Sequence, residues 1–177
     1  VRSGSDAIES PPDEWKIRAQ WAMKRIDCTV GGITKRCHAK CCYGPTYWPG
    51  NSGPNGLRCA HLGGQGCTLK PEDKPVTCHL YPFTLNDSDT LVLHARALVP
   101  NGCCFKNYKK GPPIIDAVYP SLVELFGQDQ ADKAVAKVKA GRDAKVMPPA
   151  KVVAALKREK QWAAENKVPE LRSRLNS

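Results

Sequence analysis

Cys28-Thr29-Val30-Gly31-Gly32-Ile33-Thr34-Lys35-Arg36-Cys37-His38-Ala39-Lys40-Cys41-Cys42 opens a span, closed by the pair Cys103-Cys104, that holds all nine cysteines of a 177-residue chain. Cys59, Cys67 and Cys78 lie between these ends, and the rest of the chain has none. Such crowding has three chemical causes: disulfides, bound metal or redox catalysis. Disulfide frameworks belong to small secreted domains that cannot build a sufficient core, and they use even cysteine counts. An odd count in a chain this long points to metal. Cys28, Cys37, Cys41, Cys42, Cys59, Cys67, Cys78, Cys103 and Cys104 are therefore the candidate ligands.

No C-x2-C knuckle occurs. Neighbouring side chains diverge by about 100° on a helix and point to opposite faces of a strand. The vicinal pairs Cys41-Cys42 and Cys103-Cys104 thus suit two nearby centres or one multinuclear cluster better than a single tetrahedral ion. Soft thiolates select zinc, copper(I) or iron–sulfur, and the spacing leaves zinc and iron–sulfur both open. His38, His61, His79 and His94 are secondary candidates; His38 and His79 each adjoin a cysteine, so their side chains point away from its site. Cys37-x3-Cys41 begins like a radical-SAM loop, but Gly44 stands where the third cysteine belongs. Gly63-Gly64-Gln65-Gly66 runs into Cys67-Thr68-Leu69-Lys70-Pro71 rather than a helix, so it reads as a turn before a ligand and not as a phosphate loop.

Outward from the cysteines the pattern becomes regular. Between Cys28 and Cys78 glycine and proline dominate, no apolar face is continuous, and metal coordination is the expected source of order. His79 to Leu85, a turn at Asn86-Asp87-Ser88-Asp89 and Thr90 to Val99 predict a β-hairpin that returns the chain to Cys103-Cys104. Before the cysteines, Ser10-Pro11-Pro12-Asp13 predicts a helix start, with Trp15, Ala19, Ala22, Met23 and Ile26 as its apolar stripe. Three helices are expected after them. Ser121 to Phe126 stops at Gly127; a second, capped by Asp129, carries Ala131, Ala134, Val135 and Val138 inward and ends at Gly141. The third opens at Pro148-Pro149 and runs to about Asn166, with Val152, Val153, Leu156 and Ala163 as its apolar side. The expected fold is α+β and loop-rich: a cysteine-ligated metal core with one β-hairpin, an N-terminal helix and C-terminal helices. The division is a flexible arm (1–9), a cysteine-rich metal-binding domain with the N-terminal helix (10–128) and a basic helical extension (129–177).

The net charge is +10, and +6 of it lies after residue 128. A basic surface admits nucleic acid or an acidic partner. Yet Glu159, Glu165 and Glu170 interrupt the run of Lys151, Lys157, Arg158, Lys160, Arg172 and Arg174, and Trp162 is the one aromatic there to stack on a base. The tail therefore reads as a docking helix with a solvated face, and a protein partner is expected ahead of a nucleic acid. No apolar run approaches the roughly 18 residues of a membrane span, and no signal pattern opens the chain. The expected setting is cytoplasmic, without membrane.

Cys28, Cys37-His38-Ala39-Lys40-Cys41-Cys42, Cys59-Ala60-His61-Leu62, Cys67-Thr68-Leu69 and Lys74-Pro75-Val76-Thr77-Cys78-His79-Leu80-Tyr81-Pro82-Phe83 together resemble the CxxCxxCC (YkgJ-type) superfamily, described as zinc- or iron-chelating bacterial proteins. The likeness is to its branch with C-x3-CC and KPxxCHLYP, over roughly residues 26 to 128. The resemblance implies a compact cysteine-ligated centre, a [4Fe-4S] cluster with zinc as the alternative; one relative is fused to a flagellin lysine methylase. The chain departs from the pattern at Tyr43 to Gly56, where a Gly/Pro/Asn-rich loop with Tyr47 and Trp48 replaces an acidic helix. The expected function is a metal-binding module serving structure, partner binding or electron transfer. The alternatives are a metal-dependent enzyme modifying protein or nucleic acid, and a zinc-stabilised nucleic-acid binder.

Overall fold

Trp15 and Ile17 face the core while Lys16 between them does not, an alternation of period two that belongs to a strand. The computed structural model describes residues 13–26, 59, 61–64, 66–94, 97 and 111–165. It places Trp15–Ile17 as strand β1, followed by helix α1, Ala19–Ala22. The helix expected up to Ile26 is thus confined to a single turn. Its stripe is buried at Trp15, Ala19, Ala22 and Ile26, but Met23 is exposed and Ile17, outside the stripe, is fully buried. The first turn of α1 is tied from far away, the Ala19 amide donating to Asp143 Oδ1 at 3.0 Å.

Later come the two-residue strands β2 (Leu62–Gly63) and β3 (Gly66–Cys67), which form a small antiparallel ladder. A 3-10 turn at Pro71–Asp73 leads to helix α2, Val76–Leu80. Strands β4 (Phe83–Leu85) and β5 (Thr90–Leu93) pair antiparallel, Phe83 opposite Leu93 and Leu85 opposite Leu91. The hairpin turn falls where the sequence placed it: Asn86 Oδ1 accepts from the Ser88 and Thr90 amides, and Asp89 takes a positive φ of 51°. The arms are shorter than expected. Val76, His79 and Leu80 are buried together, a helical i, i+3, i+4 set rather than an alternating one, so the segment through Leu80 is helix and the strand starts only at Phe83. The second arm ends at Leu93.

Helices α3 (Ile114–Ala117), α4 (Tyr119–Phe126) and α5 (Gln128–Lys139) follow, then strand β6 (Ala144–Val146) and helix α6 (Ala150–Glu165). The N-cap of α5 is Gly127; Asp129 sits in the first turn and pairs with Lys133 at 2.7 Å. The architecture is α+β, with a four-stranded sheet ordered β4-β5-β1-β6. β1 runs parallel to β5 and antiparallel to β6, so the segment expected as a basic extension supplies an edge strand to the sheet. Trp15 meets the ring of Phe126 edge-on, centroids 5.7 Å apart. No helix among the described residues is long and apolar enough to cross a membrane.

Six candidate ligands (Cys28, Cys37, Cys41, Cys42, Cys103 and Cys104) lie outside the described residues, as do His38, the 1–9 arm, the Tyr43 to Gly56 loop with Trp48, and Arg172 and Arg174.

Candidate functional site

α2 is built from the most distinctive stretch of the sequence, Val76 to Leu80. Proline at 75 suits the residue before a helix but offers no side chain to cap it. Two of the orphan amides of the first turn are instead taken by one carboxylate from α6: Val76 N–H donates to Glu159 Oε1 at 2.7 Å and Thr77 N–H to Oε2 at 2.9 Å. Glu159 is 2% exposed. A charged acceptor shared between two backbone donors is among the strong hydrogen-bond arrangements, and it compensates part of the cost of burying the charge.

His79 anchors the other side of α2. Its Nε2 lies 2.7 Å from the Pro71 carbonyl. A carbonyl only accepts, so Nε2 carries the proton, and Nδ1, 3.3 Å from Ser121 Oγ, is left to accept from that hydroxyl. Burial holds the imidazole pKa below its ordinary value, opposing the Pro71 hydrogen bond that favours the cation. With both nitrogens engaged inside the protein, His79 is a structural histidine and not a metal ligand in this arrangement. Cys78, between these anchors, is exposed. The KPVTCHLYP stretch therefore folds into a short, clamped helix that presents one sulfur outward.

Cys59 and Cys67 belong to a second small unit. Cys67 stands opposite Leu62 in the β2–β3 ladder, and Gly63 pairs with Gly66 to close the turn. Gly66 has φ 115°, a conformation L side chains avoid, so the glycines serve a tight turn ahead of a cysteine, as read from the sequence. The Thr68 amide and hydroxyl both reach the His61 carbonyl, at 2.8 and 3.0 Å. Cys59 is half-buried and accepts from the Leu62 amide at 3.2 Å through its carbonyl; Cys67 is exposed. His94 is half-buried and tilts against the ring of Tyr81, centroids 6.0 Å apart.

No three His, Cys, Asp or Glu side chains among the described residues converge as a metal group. Cys59, Cys67 and Cys78 are not brought together into a complete ligand set by themselves, and a four-thiolate centre requires members of the remaining six. Of the described cysteines Cys67 and Cys78 are exposed and Cys59 is half-buried; none has the full burial typical of structural thiols.

A cleft of about 180 Å³ lies between α2, β4 and α6, with Leu80, Phe83 and Leu156 on its walls and Lys160 and His94 lining it. Lys160 Nζ donates to the Leu85 carbonyl at 3.2 Å, and the buried Thr77 Oγ1 lacks a hydrogen-bond partner among the described residues. A shallower groove carries Tyr119, whose hydroxyl donates to Asp132 at 2.6 Å. That bond holds the Asp132 carboxyl below and the phenol above their ordinary pKa values, and Gln128 donates to both groups. It joins α4 to α5 at the surface.

Glu159 is the residue whose role the sequence reading missed, having taken it for a break in a basic face. Its signal was its spacing: Val152, Leu156 and Glu159 lie four and three residues apart, on the buried side of α6. Searches against protein-family models, curated proteins and solved structures give no match to this chain.

Proposed function

We propose that the chain is a metal-binding module whose thiolates hold an iron–sulfur cluster of the [4Fe-4S] type, with zinc as the alternative, and that the centre orders the cysteine-rich segment and presents it to a protein partner. The observation that carries this reading is the placement of the described cysteines. The core is filled by Trp15, Ile17, Ile26, Leu91, Ile114, Ile115 and their neighbours and includes no described cysteine, whereas Cys67 and Cys78 are exposed. Unmodified cysteine used for packing is among the most buried of residue types. Sulfur held outward on a tight hairpin and on a clamped helix fits ligation, and the likeness of these segments to the CxxCxxCC superfamily supports the same chemistry. Thiolate ligation also fits a reducing, cytoplasmic setting.

Zinc or a cluster bound by thiolates supplies charge and rigidity to a segment that lacks an apolar face of its own. The test is anaerobic purification of the full chain followed by metal and sulfide analysis and a visible absorption spectrum. Iron with acid-labile sulfide and a broad visible absorption identifies a cluster; zinc without colour identifies the alternative. Replacing Cys78 with serine lowers the metal stoichiometry. A reduced full-length protein that retains neither iron nor zinc sinks the reading, and full metal content in Cys78→Ser removes Cys78 from the ligand set.

A further inference from the structure

α2 is five residues long, far below the length at which a helix is stable on its own. Its direction is set entirely by what holds it. The C-terminal half is fixed by Leu80 in the core and by His79 between Pro71 and Ser121. Among the described side chains, Glu159 is the one that fixes the N-terminal turn, through the two amides immediately preceding Cys78 in the chain. A serine or aspartate at position 75 would cap the turn locally. The chain instead places proline there and closes the turn with a buried carboxylate contributed by α6, eighty-odd residues onward. The orientation of α2 is thereby tied to the frame of α6, which is seated through Val152 and Leu156.

We propose that Glu159 is a positioning residue for a metal-bound Cys78, so that α6 sets where that sulfur stands; this rests on the reading of Cys78 as a ligand. Metal–thiolate bonds tolerate only tenths of an ångström in length, about 2.3 Å for zinc. Groups that hold a ligand without touching the metal characteristically change affinity ten- to hundredfold when removed. Glu159 has that relation to Cys78. Its two acceptor oxygens fix the first turn as a bidentate pair, and loss of either bond lets the turn pivot on His79 and Leu80.

The experiment adds Co2+ anaerobically to the reduced chain and follows the thiolate-to-cobalt charge-transfer bands in wild type, Cys78→Ser, Glu159→Gln, Val76→Pro and Val138→Ala. Glutamine keeps one acceptor and turns the other into a donor that opposes the Thr77 amide. Proline at 76 removes one of the two amides while leaving Glu159 charged, and it suits the first position of a helix. Val138→Ala lowers the stability of the core from α5, where Val138 is fully buried, and alters neither α2 nor α6. The expected result is a cobalt affinity about tenfold or more weaker in Glu159→Gln and Val76→Pro, with shifted bands at unchanged thiolate intensity per cobalt. Val138→Ala melts earlier but keeps wild-type affinity and bands. Cobalt binding unchanged in both clamp variants, alongside loss of a thiolate in Cys78→Ser, overturns the inference and leaves the ligand reading standing. Unchanged intensity in Cys78→Ser overturns both. An equal loss of affinity in Val138→Ala reduces Glu159 to general stability and also overturns the inference. If Glu159→Gln does not fold, Val76→Pro decides.

Discussion

His79 shows how one side chain couples helix, turn and core. It is 5% exposed, and burial depresses its pKa in the folded protein. Both states are neutral above the ordinary imidazole value of about 6.5, so its contribution to stability is complete there. As pH falls through that value the unfolded chain takes up a proton that the folded chain resists, and stability declines until pH reaches the depressed folded pKa. Urea unfolding between about pH 7.5 and about 5.5 should therefore show a falling midpoint in wild type and a shallower fall in His79→Gln. Equal slopes in the two proteins would assign the acid sensitivity to other groups. Adjacency to Cys78 does not make a nucleophile and base of the pair, because both ring nitrogens are already engaged with Ser121 and Pro71.

At the scale of elements, the junction between α4 and α5 rests on Gly127, with φ 83° and ψ 160°. A Cβ there meets nothing within 4 Å, so space is no obstacle and the strain is purely that of the backbone. Gly127→Ala should lower stability by about 1–3 kcal/mol, read as a drop in the thermal midpoint; an unchanged midpoint would mean the junction relaxes freely. This junction was legible in the sequence, as was the end of α5 at Gly141, also at positive φ, because a helix stop is a local signal. The hairpin turn was legible for the same reason: Asn86 makes its bonds to residues two and four positions away. β1, β6 and α2 were not. Each is three to five residues long, too short for a period to declare itself, and each is completed by partners far along the chain. Tertiary pairing overrode the helical stripe at Trp15, and a carboxylate at 159 supports a helix that runs through His79 and Leu80, where the start of a strand was expected.

For the whole molecule, the consequence is that the basic C-terminal region does not stand apart from the rest. β6 pairs with β1 from Trp15 opposite Val146 to Ile17 opposite Ala144, Lys145 reaches Glu14 at 2.7 Å, and Asp143 caps α1. A chain ended after Gly127 loses an edge strand, the α1 cap and the α2 clamp together. It should lack a cooperative thermal transition by circular dichroism, with or without metal. A truncated chain that melts cooperatively would show that the region through Gly127 folds alone. The part of the candidate site legible in sequence was its residue types, the thiols of Cys59, Cys67 and Cys78. Its support was not, because Glu159 lies among lysines and arginines and nothing local distinguishes it from a surface charge.

The position of β1 between β5 and β6 also governs timing. A ribosome delivers Trp15 early and Val146 late, and the register joining them cannot close until nearly the whole described chain has emerged. Contacts this distant in sequence make folding slow relative to local structure. All nine cysteines precede β6 in the chain, so every thiol leaves the tunnel before the four-stranded sheet is complete. The nascent protein passes through an interval in which its sulfurs are available and its fold is not, and its yield in a cell will depend on what reaches those sulfurs first.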